Sequence, residues 1–216
     1  MKLDRKQKTQ IIRIIGHAAS LIPLALLLYD YYFGLFSADV IREITLRTGK
    51  AAIVLLVLSL AITPFKIVFG WNQLHSLRRI FGLYAFMYVA LHLTIFVYLD
   101  YGLSWPLLQE AIFEKWYALV GFAAFLVLLP LALTSSRWSM KKLGKKWTTL
   151  HKWVYLAGVL AVLHYILLVK NTYTQPFIFA LILGVLLALR IGSVKQWVIR
   201  QRKSWGKRQS QPSVNS

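Results

Sequence analysis

The chain has 216 residues, of which 58% are hydrophobic, and a formal net charge of +19. This apolar content exceeds the roughly 45–50% of an ordinary soluble domain, so that class is excluded and a membrane protein is indicated. Because there is no cysteine, a disulfide framework, an iron–sulfur cluster and a thiolate haem ligand are excluded as well.

Six apolar runs of about twenty residues follow one another, each long enough to cross a hydrocarbon core of ~30 Å. They lie at residues 11–34, 50–69, 80–99, 115–134, 149–169 and 176–194. None shows the alternation that a strand requires, and open sheets do not span lipid. We therefore expect an all-α bundle of six transmembrane helices at residues 11–196. A short cytoplasmic segment at 1–10 precedes it, and a basic cytoplasmic tail at 197–216 is expected to be disordered.

Basic residues are concentrated on one side of the predicted bundle. Of the 26 lysines and arginines, 21 lie near the two termini or in the connections between spans two and three and between spans four and five. Six of the seven acidic residues lie on the other side. By the positive-inside rule both termini are cytoplasmic, which requires an even number of spans. Topology and attraction to membrane lipids account for the charge, and we expect no nucleic-acid partner.

Histidines inside the predicted spans carry the functional signal. Ionisable side chains at membrane depth are costly and require partners, and imidazole is a usual axial ligand of haem iron. In chain order they are His17 in the first span, His92 in the third, and His151 and His164 in the fifth. Since ~19.5 Å of helical rise separates His151 from His164, these two cannot bind the same iron.

The depth of each histidine suggests its partner, because spans one, three and five run in the same direction. His92 and His164 lie at similar heights and are predicted to hold an outer haem. His151 is predicted to ligate an inner haem, with His17 opposite it. For His17 a packing or hydrogen-bonding role stays open, and His75, in the polar connection WNQLHSLRR, is the alternative inner ligand.

Two arginines, Arg78 and Arg79, open the third span. They are suited to anchoring the topology, and their guanidinium groups also suit haem propionates or a flavin phosphate. The six runs contain a single carboxylate, Asp30 near the end of the first run, which argues against a proton relay and against most ion-coupled transport. No dinucleotide-binding or Walker motif is present.

Three runs carry a resemblance to a known family: TSSRWSMKKLGKKWTTLHKWVYLAGVLAVLHY at 134–165, RRIFGLYAFMYVALHLT at 78–94 and GHAASLIPLALLLYD at 16–30. They resemble the MsrQ family, once called YedZ, within the ferric-reductase-like transmembrane superfamily. The resemblance covers nearly the whole chain. His151 and His164 look like the superfamily's helix-five haem pair, and His92 looks like its helix-three ligand. Larger members carry a second histidine on helix three, whereas here that position falls near Arg78.

The resemblance implies a function that the residues alone do not. MsrQ-like proteins are the haem-binding membrane subunit of the MsrPQ system, so the chain is expected to be a non-catalytic electron-transfer subunit in the bacterial inner membrane. It would pass electrons from the quinone pool through one or two haem b groups to MsrP. MsrP is a periplasmic molybdopterin enzyme that reduces methionine sulfoxide in oxidised proteins. The family also implies an associated FMN, which would make the chain a flavoprotein.

Two other functions stay open. One is a haem subunit served by a separate cytoplasmic NAD(P)H flavin reductase, since about 22 residues follow the last expected span and flavin and nicotinamide domains need far more. The other is a membrane scaffold or transporter without a cofactor.

Overall fold

The computed structural model describes residues 4–169 and 173–209, and within these ranges the chain is helical and has no strand. Its α-helices are α1 (Arg5–Tyr32), α2 (Val40–Phe69), α3 (His75–Ile95), α4 (Trp105–Glu114), α5 (Trp116–Leu133), α6 (Arg137–Leu143), α7 (Lys145–Leu150), α8 (Val154–Leu168), α9 (Thr174–Ala188) and α10 (Gly192–Gln209). Single turns of 3₁₀ helix lie at Asn72–Leu74 and His151–Trp153, and a π-helical turn at Phe96–Asp100 extends α3.

Five helical segments are long and apolar enough to cross a membrane: α1, α2, α3 with its π-helical turn, α5, and the broken helix Lys145–Leu168. A sixth span is obtained if α9 is joined to the first part of α10, from which it is bent by 80°. The prediction of an all-helical protein with several spans is therefore confirmed, with five or six spans in the described part of the chain.

The spans alternate in direction because short connections join them. We call one end of the bundle the acidic end, where α1 passes to α2 and α3 passes to α5. Its carboxylates are Asp30, Asp39, Glu43, Asp100, Glu110 and Glu114. The opposite end is the basic end, where α2 passes to α3 and α5 passes to α8. Its cations include Lys66, Arg78, Arg79, Arg137, Lys141, Lys142, Lys145 and Lys146.

Helix α2 begins ten residues earlier than the hydropathy of the sequence predicts. The Asp39 carboxylate caps it by accepting the amide of Arg42 at 3.1 Å. One turn further, Arg47 donates to Glu43 at 2.5 Å and also bonds Asp30 of α1. Because these charges are paired, residues 40–49 form the first turns of α2, although their polarity predicts a loop.

The core lies where α2 packs on α3 and where α5 packs on α8. Small residues line these contacts, among them Ala52 of α2, Ala85 of α3 and Ala157 of α8, and the last two are fully buried. Small side chains let membrane helices approach closely. Large apolar side chains such as Leu133 and Leu181 stand outward and exposed, as expected of a surface in contact with lipid.

Tyr88 of α3 ties α1 to the core. Its hydroxyl donates to the Ser20 carbonyl at 2.9 Å and accepts the Leu24 amide at 3.0 Å. In a regular helix this amide and carbonyl bond each other directly, but Pro23 disturbs the ladder at this turn. The buried tyrosine hydroxyl thus joins the two backbone groups where α1 is weakest.

Helix α10 runs through the first part of the tail that the sequence led us to expect to be disordered from residue 197. Arg202 explains part of this, because its guanidinium donates to the Ile67 carbonyl at 3.0 Å, at the carboxyl end of α2. Cations are favourable at that end of a helix. Residues 210–216 of the predicted tail lie outside the described part of the chain.

Candidate functional site

His92 of α3 and His164 of α8 come together inside the bundle near the acidic end. Their ring centroids are 6.1 Å apart and their planes lie at 83° to each other. A bond from a metal to an imidazole nitrogen is about 2 Å long, so two imidazoles on opposite sides of one iron have ring centres ~6 Å apart. The separation of this pair therefore fits a single iron atom between the rings.

Backbone carbonyls fix the orientation of both rings. The Nδ1 atom of His92 donates to the Thr45 carbonyl at 2.9 Å, and that of His164 donates to the Tyr117 carbonyl at 2.7 Å. A carbonyl can only accept, so each Nδ1 carries the hydrogen and each Nε2 presents a lone pair. Among the described residues, neither Nε2 has a hydrogen-bond partner. This is the arrangement typical of a metal-ligating histidine.

The donor set suits haem. Neutral imidazole is a usual ligand of haem iron, so His92 and His164 would hold the group through their Nε2 atoms. No group of three or more histidine, aspartate or glutamate side chains able to hold a bare metal ion occurs in the described ranges.

His151 lies in the 3₁₀ turn before α8, and its ring has the opposite hydrogen placement. The Thr134 hydroxyl donates to the Pro130 carbonyl at 2.6 Å and lies 3.1 Å from Nε2 of His151. With its one hydrogen committed, the hydroxyl accepts a bond from Nε2, which leaves the lone pair on Nδ1. Trp147 stacks on the ring at 4.0 Å between centroids and donates to the Thr134 carbonyl at 2.9 Å.

His17 and His151 contact different residues in the described part of the chain, and no contact observed there joins the two rings. His17 is exposed on α1, with Nδ1 at 3.2 Å from the Tyr84 hydroxyl and the two rings edge to face. His75 is exposed at the start of α3.

Of the two predicted anion-pairing arginines, Arg79 is exposed and Arg78 is half-buried. The Arg78 carbonyl accepts the Ser59 hydroxyl at 2.7 Å. Its side chain lies within electrostatic range of His151 and of Arg190.

Arg190 is a residue that sequence reasoning missed. It lies at the bend between α9 and α10, and its guanidinium stacks over the Tyr155 ring at 4.7 Å. It donates to the Leu60 carbonyl at 2.6 Å and to the Tyr155 hydroxyl. The sequence signal was an arginine directly after an apolar run, which reads equally well as an ordinary charge at the membrane surface.

Comparison with known proteins gives matches over most of the chain. Residues 48–162 match the family described as the ferric reductase like transmembrane component. The chain is 40% identical over 200 residues to the protein-methionine-sulfoxide reductase heme-binding subunit MsrQ of Rhodospirillum rubrum, a match that covers 92% of this chain and 94% of the relative.

Proteins of the same name from two Xanthomonas species are similar as well. The one from Xanthomonas axonopodis pv. citri is 40% identical over 194 residues, with 86% of this chain and 89% of the relative covered. The one from Xanthomonas campestris pv. campestris is 41% identical over 181 residues, with 81% and 83% covered. No solved structure matches the chain.

Proposed function

We propose that this chain, which belongs to the MsrQ family and carries a ferric-reductase-like transmembrane domain, is the haem-binding, electron-transferring subunit of a protein-methionine-sulfoxide reductase. The observation that carries the proposal is the pair of His92 and His164, with Nδ1 of each bonded to a carbonyl and Nε2 of each without a hydrogen bond to any described residue. Haem supplies a one-electron redox centre when bound. The chain's own groups hold the two ligand rings in place, keep their protons on Nδ1 and surround the iron with apolar helices.

The finer assignments are part of the same proposal. The haem held by His92 and His164 is of the b type, because the chain has no cysteine for covalent attachment. A second haem at the basic end would take His151 as a ligand, with His17 opposite it, and Arg78 and Arg79 would pair its propionates. Ligation through Nε2 of His151 requires the bond to Thr134 to be exchanged for a bond to iron.

The direction of electron flow follows from the charge of the two ends. We place the basic end at the cytoplasmic face of a bacterial inner membrane. Electrons enter there from the quinone pool or from a cytoplasmic flavin reductase, with FMN as a further carrier. They leave at the acidic end to a periplasmic MsrP-like catalytic subunit, which carries out the reduction of methionine sulfoxide. Exposed carboxylates at Asp39, Asp100, Glu110 and Glu114 supply the negative charge at the surface available to that partner.

The ligand assignment is tested by substitution of the pair. His92→Ala and His164→Ala should each lose the haem held near the acidic end, measured as haem per polypeptide and as a reduced-minus-oxidised spectrum of the purified protein. His75→Ala is the comparison variant, because His75 is exposed at the other end of α3, and it should keep the haem held near the acidic end. Full haem content in either variant of the pair would overturn the assignment, and a wild-type protein without b-type bands would favour the scaffold or transporter.

The role in electron transfer is tested separately in membrane vesicles that contain the periplasmic partner. Vesicles that lack this chain, or that carry His164→Ala, should fail to pass respiratory electrons to the reductase. Unimpaired transfer without the chain would contradict the proposed function even if the chain binds haem.

A further inference from the structure

The hydrogen bonds that orient His92 and His164 are related by a repeat in the chain. Each joins residues 47 positions apart, Thr45 to His92 and Tyr117 to His164. The two histidines are themselves 72 positions apart, and so are the residues whose carbonyls accept the bonds. The histidine and carbonyl pair of the first half of the chain therefore recurs 72 positions later in the second half.

The offset extends through the helices that carry the site. Aligning residues 40–97 with residues 112–169 places α2 against α5 and α3 against α8. The identical pairs in this alignment include Gly49/Gly121, Ala51/Ala123, Ala52/Ala124, Leu56/Leu128, Ala85/Ala157, Leu91/Leu163 and His92/His164. The packing repeats as well, because α2 on α3 and α5 on α8 are the two most extensive helix pairs. Ala85 and Ala157 are both 0% exposed at the same place in each pair.

A glycine stands against each imidazole, one helical turn beyond the residue whose carbonyl accepts the bond. A Cβ atom at Gly121 would lie 2.7 Å from Nδ1 and 2.9 Å from Cε1 of His164. A Cβ atom at Gly49 would lie 3.2 Å from the same two atoms of His92. Favourable contact between heavy atoms begins at about 3.5 Å, so a side chain at either glycine would push the ring away.

We propose that Thr45 with Gly49, and Tyr117 with Gly121, form two copies of one imidazole cradle, and that the glycines are positioning residues for the ligand rings. This rests on the proposed role of His92 and His164 as iron ligands. In each cradle the carbonyl fixes Nδ1 and the bare face of the glycine admits the ring. Together the two cradles set the planes of the rings at 83° to each other.

The angle between the ring planes has a spectroscopic consequence. Ferric low-spin iron between two nearly perpendicular imidazoles gives a strongly anisotropic electron paramagnetic resonance signal with a large maximal g value, whereas parallel rings give a more rhombic signal. The orientation of a ligating histidine is set by the group bonded to its other nitrogen. We therefore expect the wild-type protein to give the anisotropic signal and a change in either cradle to alter it.

The test uses Gly121→Ala and Gly49→Ala in the full-length, haem-loaded protein, with the ferric resonance spectrum and the midpoint potential as readouts. Gly121→Ala should shift the maximal g value and the potential, and Gly49→Ala should shift them less, because its added carbon has more room. Gly184→Ala is the matched control, since nothing lies within 4 Å of a Cβ at that helical position. Gly158→Ala, in the same helix as His164, meets Leu60 at 3.2 Å and should lower thermal stability without moving the signal.

The outcomes separate the cradle from the ligand assignment. A wild-type spectrum and potential in Gly121→Ala would overturn the cradle while leaving the ligands in place. Full haem content in His92→Ala or His164→Ala would overturn the ligands themselves. If Gly121→Ala yields no folded protein, the milder Gly49→Ala decides, and an unchanged signal in that variant counts against the cradle.

Discussion

The hydrogen on one ring nitrogen distinguishes the histidines of this bundle. In His92 and His164 the hydrogen lies on Nδ1 and is donated to a carbonyl, so Nε2 keeps its lone pair. In His151 the hydrogen lies on Nε2 and is donated to Thr134. The first two rings therefore offer the nitrogen that the proposed ligation needs, whereas His151 would have to exchange a partner before it could bind iron through Nε2.

Thr134→Val tests whether that exchange takes place. If His151 ligates a haem through Nε2, the threonine is not its partner in the loaded protein, and we expect haem per polypeptide to stay at the wild-type level. The protein without haem should lose about 1 kcal/mol of stability, the usual net contribution of one hydrogen bond. Haem content and thermal unfolding with and without haem are the measurements.

The control for this variant is Thr148→Val, at an exposed helical position whose hydroxyl donates to the Lys145 carbonyl. It should change neither readout. Loss of haem in Thr134→Val, with wild-type content in Thr148→Val, would show that the threonine orients His151 and would contradict ligation through Nε2.

On the scale of helices, α1 depends on a side chain from α3. The Tyr88 hydroxyl bonds Ser20 and Leu24 across the turn that Pro23 disturbs. Since Tyr88 lies one helical turn from His92, this contact fixes the height of α1 against the helix that carries a proposed ligand. Helix α1 is the least buried of the five spans in the described part of the chain, so the loss of a contact with α3 should weaken its packing.

Tyr88→Phe should therefore lower stability more than an ordinary surface change. Removing the hydroxyl takes one hydrogen-bond partner from the part-buried Leu24 amide and one from the buried Ser20 carbonyl, at a cost of about 1–3 kcal/mol. Thermal unfolding of the detergent-purified protein measures the loss, and Tyr31→Phe, at a residue 69% exposed, is the control. Equal unfolding temperatures for the two variants would show that α1 does not need this bond.

The helices themselves were accessible from the sequence, but their ends and breaks were not. Hydropathy locates the spans because apolar content averages well over twenty residues. It places the start of α2 ten residues late, since it counts Glu43 and Arg47 as costs and cannot see that they pair with each other and with Asp30. It also predicts one continuous helix across His151, where the structure has a 3₁₀ turn. No proline near this turn marks the break in the sequence.

On the scale of the molecule, depth along the spans was enough to predict that His92 and His164 would meet. The depth of a residue in a span follows from the number of residues between it and the start of the helix, at about 1.5 Å of rise per residue. The carbonyl groups of Thr45 and Tyr117 could not be predicted from the sequence as hydrogen-bond partners of these histidines, because every residue has a backbone carbonyl. Only the repeat, with matching glycines four residues further on, singles them out, and in that alignment Arg79 stands where the second copy has His151.

The placement of both termini is the prediction that belongs to the whole chain. A reporter that is active only in the cytoplasm should be active when fused after residue 216, because the basic residues lie at that end. The same reporter inserted at Gly102, in the connection at the acidic end, should be inactive. Activity at Gly102 together with inactivity at the C-terminus would invert the topology and with it the proposed direction of electron flow.

The bend after α9 has a consequence for the surrounding lipid. Helix α9 has 15 residues and rises ~22 Å, less than the ~30 Å of a hydrocarbon core. Arg190, bound to Leu60 and Tyr155, fixes the depth at which this helix stops and the chain turns by 80°. A short span is accommodated by thinning of the bilayer, by snorkelling of flanking side chains or by association with another helix. We therefore expect the bilayer beside α9 to be thinner than beside the long helix α2.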